Sequence, residues 1–293
     1  MTLSLKGRRT LGNLASHIII IAFGVVMLYP VAWLIMSSLK EGNTIFSDPS
    51  LIPHSITFQH YVKGWAGVGR IPFSTFFVNS LAVCLAVVAL NMVSCSMASY
   101  AFARLNFKFK GIWFAAMMVT LMLPAHVTTI PRYINFKNMG LIDHPLYLAL
   151  ILPKLLATDA FFVFLLVQFM RGLPRDLDES ARLDGCGRIG IFLRIVLPLT
   201  APALITTALF SFLWTWDDFM SQLLYINTPS KYTVPLGLRM FLDSTGTSNW
   251  GAMLAMSVLS ILPCFVLFFS LQKYFVQGIA TNVINLTHQV QGN

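Results

Sequence analysis

The sequence predicts an all-α integral membrane protein with six transmembrane helices and a helical cytoplasmic loop between the fourth and the fifth. Three observations carry that expectation. Hydrophobic residues make up 56% of the chain and charged residues only 11%, with a mean hydropathy of +0.72, whereas soluble domains carry roughly 25% charged residues. The apolar residues fall in runs long enough to cross a bilayer, which takes about 20 residues at about 1.5 Å rise each. The cations, finally, are divided unevenly between the two sets of connecting loops, as the positive-inside rule requires.

The first run is Ser16 to Leu39. Lys6, Arg8 and Arg9 precede it as they would a signal peptide, but the apolar part is too long and no small-x-small cleavage site follows. An uncleaved anchor behind a short cytoplasmic N-terminus, residues 1–15, is therefore expected. A long loop from about Lys40 to Pro72 follows, aromatic-containing and rich in Gly, Pro and His. Phe73 to Met97 is the second run and Ile112 to Ile130 the third, with Pro124 and His126 near its outer end reading as a kink or a terminus. The fourth, Tyr147 to Met170, holds Lys154 and Asp159. After a loop at 171–199 comes the fifth, Ala201 to Leu224, with Trp214, Trp216, Asp217 and Asp218 toward its end. A second outer loop runs from about Ser230 to Asn249 and leads into Trp250 to Leu271. Residues 16–272 thus form one six-helix domain, and the polar tail at 273–293 is expected to lack order.

With the N-terminus inside, twelve cations fall on the cytoplasmic face, among them Arg104, Lys108, Lys110, Arg171, Arg175, Arg182, Arg188 and Arg194. Seven fall outside, including Lys40, Arg132 and Lys231, and Lys154 stays within a span. Both termini are then cytoplasmic. The net charge of +9 is mostly this topology signal; the partner it implies is membrane lipid, and no basic stripe with interleaved aromatics points to nucleic acid. Cys84, Cys95, Cys186 and Cys264 stand singly, with neither disulfide nor metal spacing. No phosphate loop, zinc-protease motif or Cys/His cluster is present, so no catalytic residue, metal or cofactor is assigned to this chain.

The loop at 171–199 carries its own helix signals. Pro174 suits a helix start, Asp176, Asp178 and Glu179 complement the positive end of its dipole, and Gly185 suits its stop. A helix of about ten residues is expected, with Leu177, Ala181 and Asp184 along one face and Ser180 and Leu183 beside it, so that its exposed surface is small and partly apolar and the small side chains at 180 and 181 permit close approach by a partner. Gly185 and Gly187 then turn the chain toward a second short segment, Ile189 to Val196, which Pro198 ends. The pattern Glu179-Ser180-Ala181-Arg182-Leu183-Asp184-Gly185, followed after nine residues by Ile195-Val196-Leu197-Pro198, resembles the cytoplasmic loop of permease subunits in binding-protein-dependent ABC importers. Ser180 stands where that family usually has Ala, which keeps the side chain small.

Three further stretches are similar to the carbohydrate-uptake branch of these permeases, which includes maltose-importer subunits: Trp214 to Phe219, Tyr232 to Leu238, and Gln272 to Gly278. The resemblance implies the type I ABC importer permease fold, with the 171–199 loop as an ATPase-docking segment whose helix is the coupling helix. Its docking residues are then Glu179, Ser180, Ala181, Asp184, Gly185, Ile195, Leu197 and Pro198. It also implies an ABC ATPase dimer binding ATP and Mg, a second homologous permease, an extracytoplasmic substrate-binding protein, and a place in the bacterial cytoplasmic (inner) membrane.

Ionisable residues inside spans are costly and tend to face a cavity or a partner. Lys154, Asp159, Asp217 and Asp218, with Trp214 and Trp216, are accordingly the candidate substrate path, since aromatic faces stack on sugar rings and carboxylates accept hydroxyl hydrogens. The outer cations and Lys154 are compatible with an acidic saccharide such as a uronate oligomer, including alginate fragments. The rival reading is an ion-coupled secondary transporter using Lys154, Asp159 and Asp217 as a relay, which inverted repeats would favour; no convincing internal repeat is visible.

Overall fold

The structure, a computed structural model, describes residues 5–42, 44–242 and 248–291, with side chains described for 13, 14, 16–42, 44–124, 127–242 and 248–272. Among the described residues every regular element is helical. In chain order these are α1 (Leu5–Ser37), α2 (Gln59–Ala66), α3 (Phe73–Arg104), α4 (Lys110–Met122), α5 (Ala125–Asn138), α6 (Leu148–Leu155), α7 (Ala160–Gly172), α8 (Asp176–Leu183), α9 (Arg188–Ile191), α10 (Leu197–Leu199), α11 (Ala201–Trp216), α12 (Phe219–Tyr225), α13 (Val234–Arg239) and α14 (Trp250–Gln291). A π-helical turn, Phe192–Val196, joins α9 to α10.

Among the described residues four stretches are long and apolar enough to cross a membrane: Ser16–Ser37, Phe73–Arg104, Leu148–Gly172 and Trp250–Gln272. Two more qualify only as bent pairs, α4 with α5, and Arg188–Leu199 with α11, the latter bent by 76°. Against the six spans expected there are thus four candidates, or six if each bent pair is one span. The third breaks at Leu123, which Pro124 holds extended at φ −74°, ψ 127°; the side chain of His126 lies outside the described residues. The fourth is interrupted after Leu155, where Ala157 takes φ +52°, and resumes with Asp159 at the start of α7. The fifth stops at Trp216, and Asp218 starts α12 by accepting from the Ser221 amide at 3.0 Å. The end of the chain also departs from expectation: α14 continues through Gln291, and no Gly or Pro interrupts it between Gly278 and Gly292.

The chain divides into two units, residues 1–72 with 238–261, and residues 73–237 with 262–293. In the first, Gly64 of α2 lies so close to Met256 that a Cβ would come within 2.8 Å of its Cγ, and Phe46 meets Trp250 edge-on at 5.3 Å. The apolar side chains of α1 from Ile18 to Leu28 are largely exposed, as a lipid-facing or partner-facing span requires.

In the second unit α3 is the central helix. Ser80, Cys84, Val87, Asn91, Cys95 and Ser99 lie three or four residues apart and are all buried, so small side chains let neighbouring helices approach. Cys95 packs with Phe162, Val163, Leu166 and Val167 of α7 and with Ala203 and Leu204 of α11. At the other end of α3, Tyr100 and Ala103 pack with Met170, Ala181, Ile191, Phe192 and Val196. That second cluster seats the 171–199 loop on the helical body.

Candidate functional site

The 171–199 loop folds as a hairpin of α8 and the α9–α10 segment. Gly185 at φ +81° terminates α8. The Cys186 amide donates to Ala181 O at 2.9 Å and the Gly185 amide to Arg182 O at 3.0 Å, the paired bonds of a Schellman motif. A Cβ on Gly185 would meet no atom within 4 Å, so glycine is required there by backbone conformation and not by space. Cys186, the residue after it, joins the apolar cluster beneath.

Two polar ties fasten the hairpin. Arg104 Nη1 lies 3.5 Å from Asp178 Oδ2, with side chains 3% and 8% exposed, and Arg104 Nη2 donates to Leu173 O at 2.9 Å. The Tyr100 hydroxyl donates to Arg188 O at 3.0 Å. Burial of Asp178 and Ala181 turns one face of α8 inward and leaves Glu179, Ser180, Leu183, Asp184 and Gly185 exposed, with Ile189 beside them. The sequence-selected docking residues thus fall into two sets. Glu179, Ser180, Asp184, Gly185 and Pro198 are exposed. Ala181, expected on the exposed face, is instead buried, on the side of α8 that Asp178 turns toward Arg104; with Ile195 and Leu197 it packs against the body of the chain and holds the exposed set in place.

The second candidate site is a cavity of ≈ 730 Å³ lined by residues of α4, α5, the α6–α7 break, α11 and α12, including Arg132, Asp159, Phe161, Trp214, Asp218 and Tyr225. Three of the six path residues selected from sequence, Asp159, Trp214 and Asp218, therefore share one wall system. Trp214 stacks on Phe162 at 5.2 Å with 25° between planes and keeps about half its surface exposed. Trp216 is placed differently: it is buried, stacked on Phe212 at 5.4 Å and edge-on to Phe77 at 5.5 Å. Asp217 is exposed and is not part of the cavity wall.

Lys154 is engaged behind the cavity. Its Nζ donates to both Asp159 oxygens at 2.8 Å. Asn91 Nδ2 donates to Asp159 Oδ2 at 2.7 Å and to Ser211 Oγ at 2.8 Å, while Ser94 Oγ donates to Lys154 O at 2.6 Å. This network ties α3, the α6–α7 break and α11 together. Sequence reasoning found Lys154 and Asp159 but missed Asn91 and Ser211. The detectable signal was a buried-type stripe of small polar residues along α3, which marks a helix-packing face in a membrane.

The loops assigned to the outer side are also structured. In the first unit Lys40, counted among the outer cations, is buried, donating to Asp48 O at 2.6 Å and Ser50 O at 2.7 Å. Bonds from the Ser50 hydroxyl and amide hold the Asp48 carboxyl well below the usual carboxylate range. In the second unit Asp143 gathers the 227–231 loop: the Asn227 and Thr228 amides donate at 3.1 Å, the Thr228 hydroxyl also donates, and Lys231 Nζ lies 3.2 Å from Oδ2. Burial alone would raise that carboxyl, but the Thr228, Asn227 and Lys231 bonds bring it down to about 2.

A family model described as binding-protein-dependent transport system inner membrane component matches residues 91–281. The probable ABC transporter permease protein YurM of Bacillus subtilis is 31% identical over 274 residues, covering 94% of this chain and 89% of that protein. The arabinooligosaccharides transport system permease protein AraQ of Bacillus subtilis is 32% identical over 270 residues, covering 91% of this chain and 94% of that one. Among solved structures, a chain of a bacterial ABC transporter involved in the import of the acidic polysaccharide alginate superposes with a TM-score of 0.79 at 19% identity, covering 94% of this chain and 99% of that chain. That last likeness is one of fold.

Proposed function

The chain belongs to the family of binding-protein-dependent transport system inner membrane components, and from that premise we propose that it is the permease subunit of an ATP-driven importer of a sugar or oligosaccharide. The observation that carries the reading is the 171–199 hairpin. Its α8 is closed by Gly185, tied to α3 through Arg104 and Asp178, and offers Glu179, Ser180, Leu183 and Asp184 outward. A short, rigidly seated helix with a charged and apolar outer face suits insertion into a groove of a separate ATPase. Glu179 supplies a charge for a partner cation, and the buried ties make displacement of α8 a displacement of α3 as well. Closure of the ATPase dimer on ATP and Mg then moves this hairpin, and the spans alternate between inward- and outward-facing arrangements as packed, bistable bodies.

The rest of the assembly follows from the same reading. A second, homologous permease completes the pathway, and the N- and C-termini lie on the ATPase side. A substrate-binding protein docks on the outer loops, where Phe46, Ile52, Ile56 and Phe58 are exposed on the segment stapled by Lys40. The ≈ 730 Å³ cavity is the part of the path this subunit contributes. Trp214 offers an aromatic face and Asp159 and Asp218 accept hydroxyl hydrogens. With Lys154 matched to Asp159, the remaining charges of the wall, Asp218 and Arg132, cancel. Recognition through hydroxyls and ring stacking then serves a neutral saccharide better than the acidic one the outer cations suggested. The sugar-importing relatives support the substrate class; AraQ, for one, is named for arabinooligosaccharides.

The test is co-purification of the complex from solubilised membranes and its ATPase activity with and without Glu179→Lys. An ATPase and a second permease should accompany the wild-type chain, and the variant should insert normally while losing the ATPase or its coupling. Normal uptake by the variant would sink the docking assignment, and recovery of the chain alone would favour an ion-coupled carrier.

A further inference from the structure

A cavity of ≈ 380 Å³ opens between the end of α3, the start of α4 and the segment joining α7 to α8, lined by Ala103, Arg104, Lys110, Arg171 and Arg175. Four of these five residues are cations. Among the described residues the only carboxylate paired with any of them is Asp178, which Arg104 holds. Lys110 Nζ donates to Leu105 O at 2.7 Å, Arg171 lies over the Phe114 ring at 5.0 Å, and Arg171 and Arg175 both repel the Lys110 ammonium. Like charges converging on one opening destabilise each other until an anion joins them. Arg104 adds an independent observation: its side chain is 3% exposed, yet its Nε finds no acceptor, where buried donors are almost always satisfied.

The position of the cavity selects the anion. Lys110 opens α4 and Arg171 lies in the last turn of α7, so the cations mark the plane where hydrocarbon gives way to headgroups. Ile112 and Trp113, next on α4, are 66% and 61% exposed, an apolar flank with an aromatic of the kind that sits at that plane. We propose that this cavity binds the phosphate of an anionic phospholipid, with the acyl chains lying along Ile112 and Trp113. Guanidinium groups match phosphate oxygens bidentately, and basic pockets between membrane helices on the cytoplasmic side suit such headgroups. The lipid so held would brace α4 against α7 directly beneath the α8 hairpin. A free phosphate would meet the same cations but gain nothing from the apolar flank.

The full complex can be reconstituted in phosphatidylcholine nanodiscs, titrated with phosphatidylglycerol, and its retained lipids counted by native mass spectrometry. Wild type should keep phosphatidylglycerol in preference to phosphatidylcholine and keep it against excess inorganic phosphate. Affinity should fall about fivefold for each cation removed in Lys110→Gln, Arg171→Gln and Arg175→Gln combined. Equal retention of both lipids, unchanged retention in the triple variant, or displacement by inorganic phosphate would overturn the proposal. So would phosphatidylglycerol bound to the isolated permease and absent from the complex, since an acidic surface of the ATPase would then occupy the site. If the triple variant does not assemble, Arg175→Gln alone, at an exposed position before α8, carries the same test: about fivefold weaker retention is expected, and no change refutes it.

Discussion

Gly185 is the residue whose requirement is clearest, because its φ of +81° and the open space around it separate backbone strain from steric fit. Gly185→Ala should cost the hairpin about 1–2 kcal/mol, read as faster hydrogen exchange across residues 176–187 with insertion unchanged; unaltered exchange would mean that the Schellman turn is not what holds α8. The stop at Gly185 was legible in sequence, since glycine just after a helix has a stereochemical meaning. The inward turn of Ala181 and Asp178 was not, because it depends on Arg104, far upstream, as the counter-charge. Asp143 is harder still to foresee: its partner Lys231 is 88 residues away. Its folded carboxyl is depressed to about 2, so its contribution is present above the unfolded value near 3.8 and is lost as pH falls toward 2. Exchange protection of the 227–231 loop should therefore fall between about pH 4 and pH 2, and Asp143→Asn should remove that dependence. A loop whose protection is pH-independent in the wild type would refute the assignment.

At the scale of elements, hydropathy located the helices long and apolar enough to cross a membrane and the two bent pairs but missed how these stretches are interrupted. An apolar window averages over a break such as Leu156–Asp159, and the Asp217–Asp218 pair, selected from sequence as candidate path residues, is in the fold a helix stop followed by a helix start. Pro124 was the break most open to reading, since it lacks a donor and constrains the residue before it. The hairpin shows the same limit, because its helix signals were local and its seating is tertiary. Asp178→Leu should leave Arg104 buried without its counter-charge and cost about 3 kcal/mol, whereas pairing it with Arg104→Met should recover much of that loss. Thermal unfolding of the four members of this cycle measures the coupling; strictly additive losses would show that the pair does not tie α8 to α3.

For the whole molecule, an importer subunit needs a joint to its motor and a wall for its cargo, and these can be damaged separately. In the function proposed above Glu179 is part of the joint, at an exposed position where charge reversal disturbs no contact within the chain's own core. Trp214 and Trp216 were equal candidates in sequence because both lie at the end of one apolar run. The fold separates them: Trp214 stacks one face on Phe162, keeps about half its surface exposed and lines the cavity, while Trp216 is enclosed by Phe212 and Phe77. Trp214→Ala should remove a stacking face worth about 1–2 kcal/mol, raising the saccharide concentration for half-maximal uptake about tenfold while assembly and basal ATPase activity persist. Trp216→Ala should instead open a core cavity at about 3–5 kcal/mol, lowering the yield of assembled complex with little change in the substrate concentration dependence of what survives. Uptake and thermal stability measured on both variants decide the matter. If Trp216→Ala shifts the substrate dependence and Trp214→Ala does not, the path runs along the other side of α11, and the ≈ 730 Å³ cavity is a packing gap for the second permease.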